Sequence, residues 1–246
     1  MIFSYENLEK FLIQAKKYRV YPLSSFKGKT GIILRHDVDL YLEPALEMAR
    51  LERKNGISST FCVMLTSVTY NSFCAKNQKI IRQLAIWGFD VGLHFDPTVY
   101  DVKSTRALQD RLKIEANILS GITGQKIKTV SLHNPSIYGK FSIPKPYIDA
   151  YSPEIFQKDR YLSDSCLVFR QDPFEFIKKA DRELVQVLLH PLAYTQEGDS
   201  YKKIFSQFLE DFIDGVDQTL RPNKTYASEI KPDLIRVFRK NLSDRR

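Results

Sequence analysis

Arg35, His36, Asp37 and Asp39 stand within five positions at the end of the apolar run GIILRHDVDL. Asp37 and Asp39 are separated by one residue, so an extended backbone turns both carboxylates to the same side. Two such groups suit a division of labour at a hydrolytic site, one holding a metal ion and the other acting as a base toward water. The competing expectation is structural: an aspartate that caps a loop, or one paired with Arg35, which is expected to face another way. The chain has only four histidines, and each closes an apolar run: His36 in GIILRHDVD, His94 in FDVGLHFDP, His133 in TVSLHNPS and His190 in VQVLLHPLA. A single histidine in such a place is more often a hydrogen-bonded structural residue than a ligand. Four in the same kind of place could meet, because parallel α/β folds gather the loops at the carboxyl ends of their strands on one face. Nucleophilic routes have less support, since the sequence holds no Gly-x-Ser-x-Gly elbow and no convincing cysteine nucleophile.

The elements that would have to position these residues alternate along the chain. After the opening strand, Leu42, Ala45, Leu46 and Ala49 recur at helical spacing, with Pro44 suited to a first turn, Arg50, Arg53 and Lys54 to a last one, and Gly56 to the stop. STFCVML is a second strand, and Ile80, Ile81, Leu84 and Ala85 mark a helix that stops at Gly88. FDVGLHF is a third strand, followed by a helix with the stripe Leu108, Leu112, Ala116 and Leu119 that is expected to stop at Gly121, and then by the strand KIKTVSLH. The proline-bearing stretch from Tyr138 to Arg160 reads mostly as an extended loop laid over one face. YLSDSCLVF and ELVQVLLH follow as strands, with Asp172 and Pro173 placed to start a short helix between them. Ile204, Phe205, Phe208, Leu209, Phe212, Ile213 and Val216 line one side of a long amphipathic helix, a stripe expected to face core rather than membrane. About six strands alternating with helices predict a parallel α/β architecture, open or closed into a barrel.

The 246 residues, 43% of them hydrophobic, suffice for one sizeable core, and no linker, repeat or low-complexity tract divides them, so a single domain over 1–246 is expected. The N-terminal stretch has no export-signal pattern, and no window reaches the ~18 apolar residues of a membrane span, which predicts a soluble, cytoplasmic protein. Cys62, Cys74 and Cys166 are odd in number and form no Cys-x-x-Cys pair, so neither a disulfide framework nor a thiolate zinc site is expected. The net charge of +8 favours anionic partners such as phosphates. Its basic residues are scattered among acidic ones and no nucleic-acid motif appears, so nucleic acid is not an expected partner.

These residues resemble the polysaccharide deacetylase-like family, whose members hydrolyse N- or O-acyl groups on sugars within a seven-stranded, irregular (β/α) barrel. RHDVD resembles its first motif in an Asp-x-Asp version, which implies Asp37 as general base and Asp39 as metal ligand. DVGLHFDP resembles the second, implying His94 as a metal ligand; LLHP resembles the last, implying His190 as general acid. SLHNPS sits where the third motif falls, and YLSDS lies near the fourth, which suggests Asp164 as an orienting partner. The resemblance spans roughly residues 31 to 191, and the order of the motifs is its specific part. Two positions depart from the pattern. The second metal histidine of the family, four residues after the first, is here Thr98, and its Arg-x-Pro is here His133-Asn134-Pro135. His133 is therefore expected to complete the site, with Asp96 as the alternative.

The resemblance implies a divalent metal, zinc foremost, at the C-terminal ends of the strands. It also implies removal of acetyl from a soluble or lipid-linked N-acetyl sugar during polysaccharide or surface-glycan biosynthesis. Hydrolysis of another C–N bond, in a cyclic amide or ureide, and a catalytically degenerate sugar-binding relative are the alternatives.

Overall fold

The computed structural model describes residues 3–102, 104–135, 141–229, 236–237 and 240. They fall into two compact units, Met1–Gly198 and Asp199–Arg246. In the first unit the order is α1 (Tyr5–Ala15), β1 (Val20–Tyr21), β2 (Gly31–Val38), α2 (Glu43–Lys54), β3 (Thr60–Val63), α3 (Ala75–Ile86), β4 (Asp90–Phe95), α4 (Thr105–Thr123), β5 (Thr129–Leu132), β6 (Ile148–Asp149), β7 (Tyr161–Ser163), α5 (Pro173–Phe176) and β8 (Leu184–Leu189). Every strand pair is parallel, and the path runs β6-β5-β4-β3-β2-β8-β7, with the short β1 added on β2. The expected seven-stranded parallel sheet is present.

The sheet curls. Five strand-to-strand steps separate β6 from β8 along the path, about 24 Å if the sheet were flat at ~4.8 Å per step. Yet Gln186 of β8 donates its side-chain N–H to the carbonyl of Ala150, the residue after β6, at 3.0 Å. Only a sheet rolled into a barrel brings those edges together, and among the described residues no ladder joins β6 to β7, so the barrel stays open on that side.

Strand alternation then sorts the residues. On β2, Ile32, Leu34 and Val38 join the outer core under the helices, with Leu8, Phe11 and Leu12 of α1, Met48 and Ala49 of α2, Ile81 and Leu84 of α3, and Leu112, Ala116 and Leu119 of α4. Ile33 turns the other way, into a small inner cluster with Leu23, Ala150, Ile155 and Leu184. Rising from that plug by steps of two, the inner face of β2 carries Arg35, then Asp37, then Asp39 just beyond the strand. Apolar filling gives way to charge toward the C-terminal mouth of the barrel.

Several boundaries differ from the sequence reading. The helix α4 runs through Gly121 to Thr123, because the residue in left-handed conformation that ends it is Gly124, at φ +73°. The proline-bearing stretch contains β6, paired with β5 through Thr129–Ile148 and Val130–Asp149; its residues Tyr138–Lys140 lie outside the described ones. The helix α1, not anticipated, starts at Ser4, whose hydroxyl accepts the N–H of Asn7, and buries Leu8, Phe11, Leu12 and Ala15.

The second unit contains α6 (Tyr201–Leu220) and α7 (Lys224–Glu229). Ile204 and Phe208 of α6 are buried, whereas Leu209, Phe212 and Val216 are exposed, so the apolar stripe is only partly core. No described helix is long and apolar enough to cross a membrane.

Candidate active site

Asp39, His94 and His133 each offer one ligand atom, and the three atoms lie within 4.8 Å of one another. They come from the ends of β2, β4 and β5, which are brought together by the register that pairs His94 with Ser131 and Phe95 with Leu132. Tautomers follow from the partners. His94 Nδ1–H donates to the Ser131 carbonyl at 3.2 Å, which leaves the lone pair of Nε2 facing Asp39 Oδ1 at 3.1 Å. Asp39 Oδ1 is buried and has no hydrogen-bond partner. Two electron-rich atoms facing each other in a buried place are stable only with a proton or a cation between them, and the third donor beside them is the imidazole of His133. A carboxylate oxygen and two imidazole nitrogens fit a divalent transition metal and leave coordination positions open. Burial opposes charge on His94, but Asp37 and Asp39 outweigh it and raise its pKa. Burial likewise pushes the Asp39 carboxyl upward, and His94, His190 and His133 more than reverse that.

His133 Nδ1 lies 2.9 Å from Asp96 Oδ2, and its Nε2 accepts from the Asn134 amide at 3.0 Å. The other Asp96 oxygen accepts both the backbone N–H and the hydroxyl of Thr98, at 2.8 and 2.6 Å. Asp96 is thus bonded to His133 and Thr98, and of the two residues left open for the third position it is His133 whose ligand atom clusters with those of Asp39 and His94. Thr98, where the family pattern has a histidine, anchors that carboxylate.

Asp37 is 3% exposed and lies one layer below Asp39. Its Oδ2 accepts from the Ser131 hydroxyl at 3.1 Å and is 3.9 Å from His94 Nδ1. Its Oδ1 has no hydrogen-bond partner, with Arg35 Nε at 3.3 Å. Arg35 thus faces into the barrel with Asp37, contrary to expectation. Residues 35, 37 and 39 share parity on one strand, and the fully buried guanidinium is completed by Gln186 Oε1 at 3.1 Å and the Tyr151 hydroxyl at 2.9 Å. His36, of opposite parity, points to the helix side, where its Nε2 meets Glu52 Oε1 at 2.6 Å and Glu52 holds Ser59. Three of the four histidines meet; His36 does not.

His190, on the last strand end, completes the mouth. Its Nδ1–H donates to Asp164 Oδ1 at 2.6 Å, its backbone N–H donates to the same carboxylate, and its Nε2 is 4.0 Å from Asp39 Oδ2. Burial disfavours its charge, but Asp164 and the more distant Asp39 and Asp37 hold its pKa at about 9. In metal-free protein, His190 should therefore titrate near 9 in a nuclear magnetic resonance titration, and Asp164→Asn should bring it down by more than a unit. Because the folded pKa is raised, the charged form stabilises the fold fully below the unfolded value near 6.5, and this contribution fades as pH rises through about 9. Equal pH dependence of stability in the Asp164→Asn variant would contradict the pairing.

Alternation along the strands makes Arg35, Ser131 and Gln186 part of this inner face; the sequence reading named neither Ser131 nor Gln186 and expected Arg35 to face another way. Their signal was parity: each lies an even number of residues from Asp37, His133 or His190 on its own strand.

No protein-family description matches the chain, and no curated protein sequence matches it. Solved structures do align with it. A mutant of BA3943, a CE4 family pseudoenzyme from Bacillus anthracis with restored enzymatic activity, is 16% identical with a TM-score of 0.44, over 79% of this chain and 66% of that one. A family 4 carbohydrate esterase from Bacillus anthracis is 14% identical with a TM-score of 0.43, over 80% and 84%. The catalytic domain of a peptidoglycan N-acetylglucosamine deacetylase from Eubacterium rectale is 14% identical with a TM-score of 0.44, over 76% and 87%. The chain thus spans just under two thirds of the first of these. At such distances the likenesses decide neither activity nor substrate, which have to be argued from this chain's own residues.

Proposed function

We propose that this chain is a divalent-metal-dependent amidohydrolase that removes the acetyl group from an N-acetylated sugar during polysaccharide or surface-glycan assembly. The observation that carries the reading is the convergence of Asp39, His94 and His133 with Asp37 on one side and the His190–Asp164 pair on the other. Asp39, His94 and His133 would hold the metal, and one carboxylate with two imidazoles is a donor set that suits zinc. When bound, it polarises the scissile carbonyl and makes water more acidic. Asp37, the carboxylate one layer below Asp39 whose Oδ2 accepts from the Ser131 hydroxyl, takes a proton from the attacking water. His190, kept cationic by Asp164, gives a proton to the leaving nitrogen, so the amide and one water become acetate and a free amine. Asp164 fixes the ring so that Nε2 faces the mouth.

The three free cysteines suit a reducing, cytoplasmic setting. The basic balance of the chain suits a donor that carries phosphate, nucleotide-linked or lipid-linked, over an uncharged polymer. Acetate release from a panel of nucleotide-linked, lipid-linked and free N-acetyl sugars by zinc-loaded protein is the test, with cyclic amides as the rival set. Nucleotide-linked or lipid-linked donors should be turned over best, and less well as salt rises. Preference for a cyclic amide moves the chain to another C–N bond, and sugar binding with no acetate release makes it a binding protein.

A further inference from the structure

His133 and Asp96 are joined by a contact that the proposed reaction does not use. Asp96 is 7% exposed, and both its oxygens are committed: Oδ1 to the Thr98 N–H and hydroxyl, Oδ2 to His133 Nδ1. With Oδ1 pinned by two donors on the residue two positions along, the carboxylate cannot turn, and Oδ2 is presented to the imidazole at a fixed place. An ionised carboxylate only accepts, so it selects the His133 tautomer with the proton on Nδ1 and the lone pair on Nε2, where the Asn134 amide donates at 3.0 Å and where a metal would take its place. The neighbouring strand end shows the same logic in another form, since His94 Nδ1–H is fixed by the Ser131 carbonyl. Each imidazole of the trio is thus oriented from behind, one by a main-chain carbonyl and one by a carboxylate.

We propose that Asp96, anchored by Thr98, is a positioning residue that holds His133 in its metal-binding tautomer, so that a histidine from β5 serves where the β4 turn supplies only threonine. The inference rests on the reading of Asp39, His94 and His133 as a metal site. Carboxylate partners of this kind typically carry 10–100-fold in metal affinity. A plain turn cap at Asp96 would carry none.

The test is zinc affinity, measured by competition with a chromophoric chelator, for the wild-type chain and for Asp96→Ala, Asp96→Asn and Thr98→Val, together with the imidazole nitrogen shifts of His133 in metal-free protein in alkaline buffer. With four histidines in the chain, those shifts are assignable. Asp96→Ala should weaken zinc ~10–100-fold, and Asp96→Asn should weaken it too, because an amide can offer N–H to Nδ1 and favour the wrong tautomer. Thr98→Val keeps the backbone N–H contact and should lose less. In metal-free wild type, Nδ1 should be the protonated nitrogen, and the Asp96 variants should show a mixture. Unchanged zinc affinity and unchanged tautomer in Asp96→Asn would overturn the proposal, and that isosteric variant answers even if the alanine variant does not fold. If wild-type protein binds no zinc, the metal reading fails by itself, while the tautomer comparison still decides whether Asp96 sets the ring.

Discussion

Asp39→Ala, and separately His94→Ala, should give folded chains that keep no stoichiometric zinc and release no acetate above background. The expectation follows from the geometry of the trio: Asp39 supplies the only carboxylate oxygen in it, and His94 the nitrogen that faces that oxygen at 3.1 Å. Removing either leaves two donors, too few for a tight zinc site. A binding signal independent of activity should vanish as well. Zinc at a thousandfold excess over its Kd stabilises the form that binds it by about 4 kcal/mol, which for a chain of this size is on the order of 8–16 °C in Tm. Wild-type protein should show that shift and the two variants should not. Loss of Asp39 also strips His94 and His190 of a carboxylate that raises their pKa values, so in metal-free protein both should titrate lower in the Asp39→Ala variant. Full retention of zinc in both variants would move the metal elsewhere.

The alternation of apolar and chemical residues made most of this site readable from the sequence, and the same alternation explains what was misread. His94, His133 and His190 end strands whose inner residues are Asp90 and Gly92, Thr129 and Ser131, and Gln186 and Leu188, so the three rings turn inward together. His36 also ends an apolar run, but it lies one position from Asp37 and therefore on the other face, against Glu52. Arg35 shares the parity of Asp37 and Asp39, and counting by two would have placed it inside. What opposed that placement was the cost of burying a guanidinium, which is met by the charge of Asp37 together with Gln186 and Tyr151, the last two lying 151 and 116 positions away in sequence. Such partners become visible only when the sheet is rolled. Which of Asp96 and His133 clusters with Asp39 and His94 was likewise closed to the sequence, because the Thr98 N–H and hydroxyl that hold Asp96 come to it only in the folded turn. Strand β6 escaped notice for a simpler reason: two residues between prolines carry no period.

Asp37→Asn should keep one zinc per chain and lose activity by ~10²-fold or more, the usual scale of general acid–base assistance. The amide has the shape of the carboxylate and can still accept from the Ser131 hydroxyl, so His94, whose Nδ1 is held by the main-chain carbonyl of the same serine, stays in place. What disappears is the capacity to take a proton, together with the charge that faces Arg35. That second loss has its own consequence: a fully buried guanidinium left without its carboxylate costs about 3–5 kcal/mol in comparable buried pairs. The variant should therefore unfold at distinctly lower denaturant concentration, and its rate has to be measured on zinc-loaded, folded protein so that lost catalysis is not confused with lost fold. A drop in kcat with zinc content and KM near wild type would identify Asp37 as the base. Zinc lost from Asp37→Asn but kept in Asp39→Asn would reverse the two aspartates. Full activity, with only the stability changed, would reduce Asp37 to the buried partner of Arg35 and return the search for the base to the mouth of the barrel.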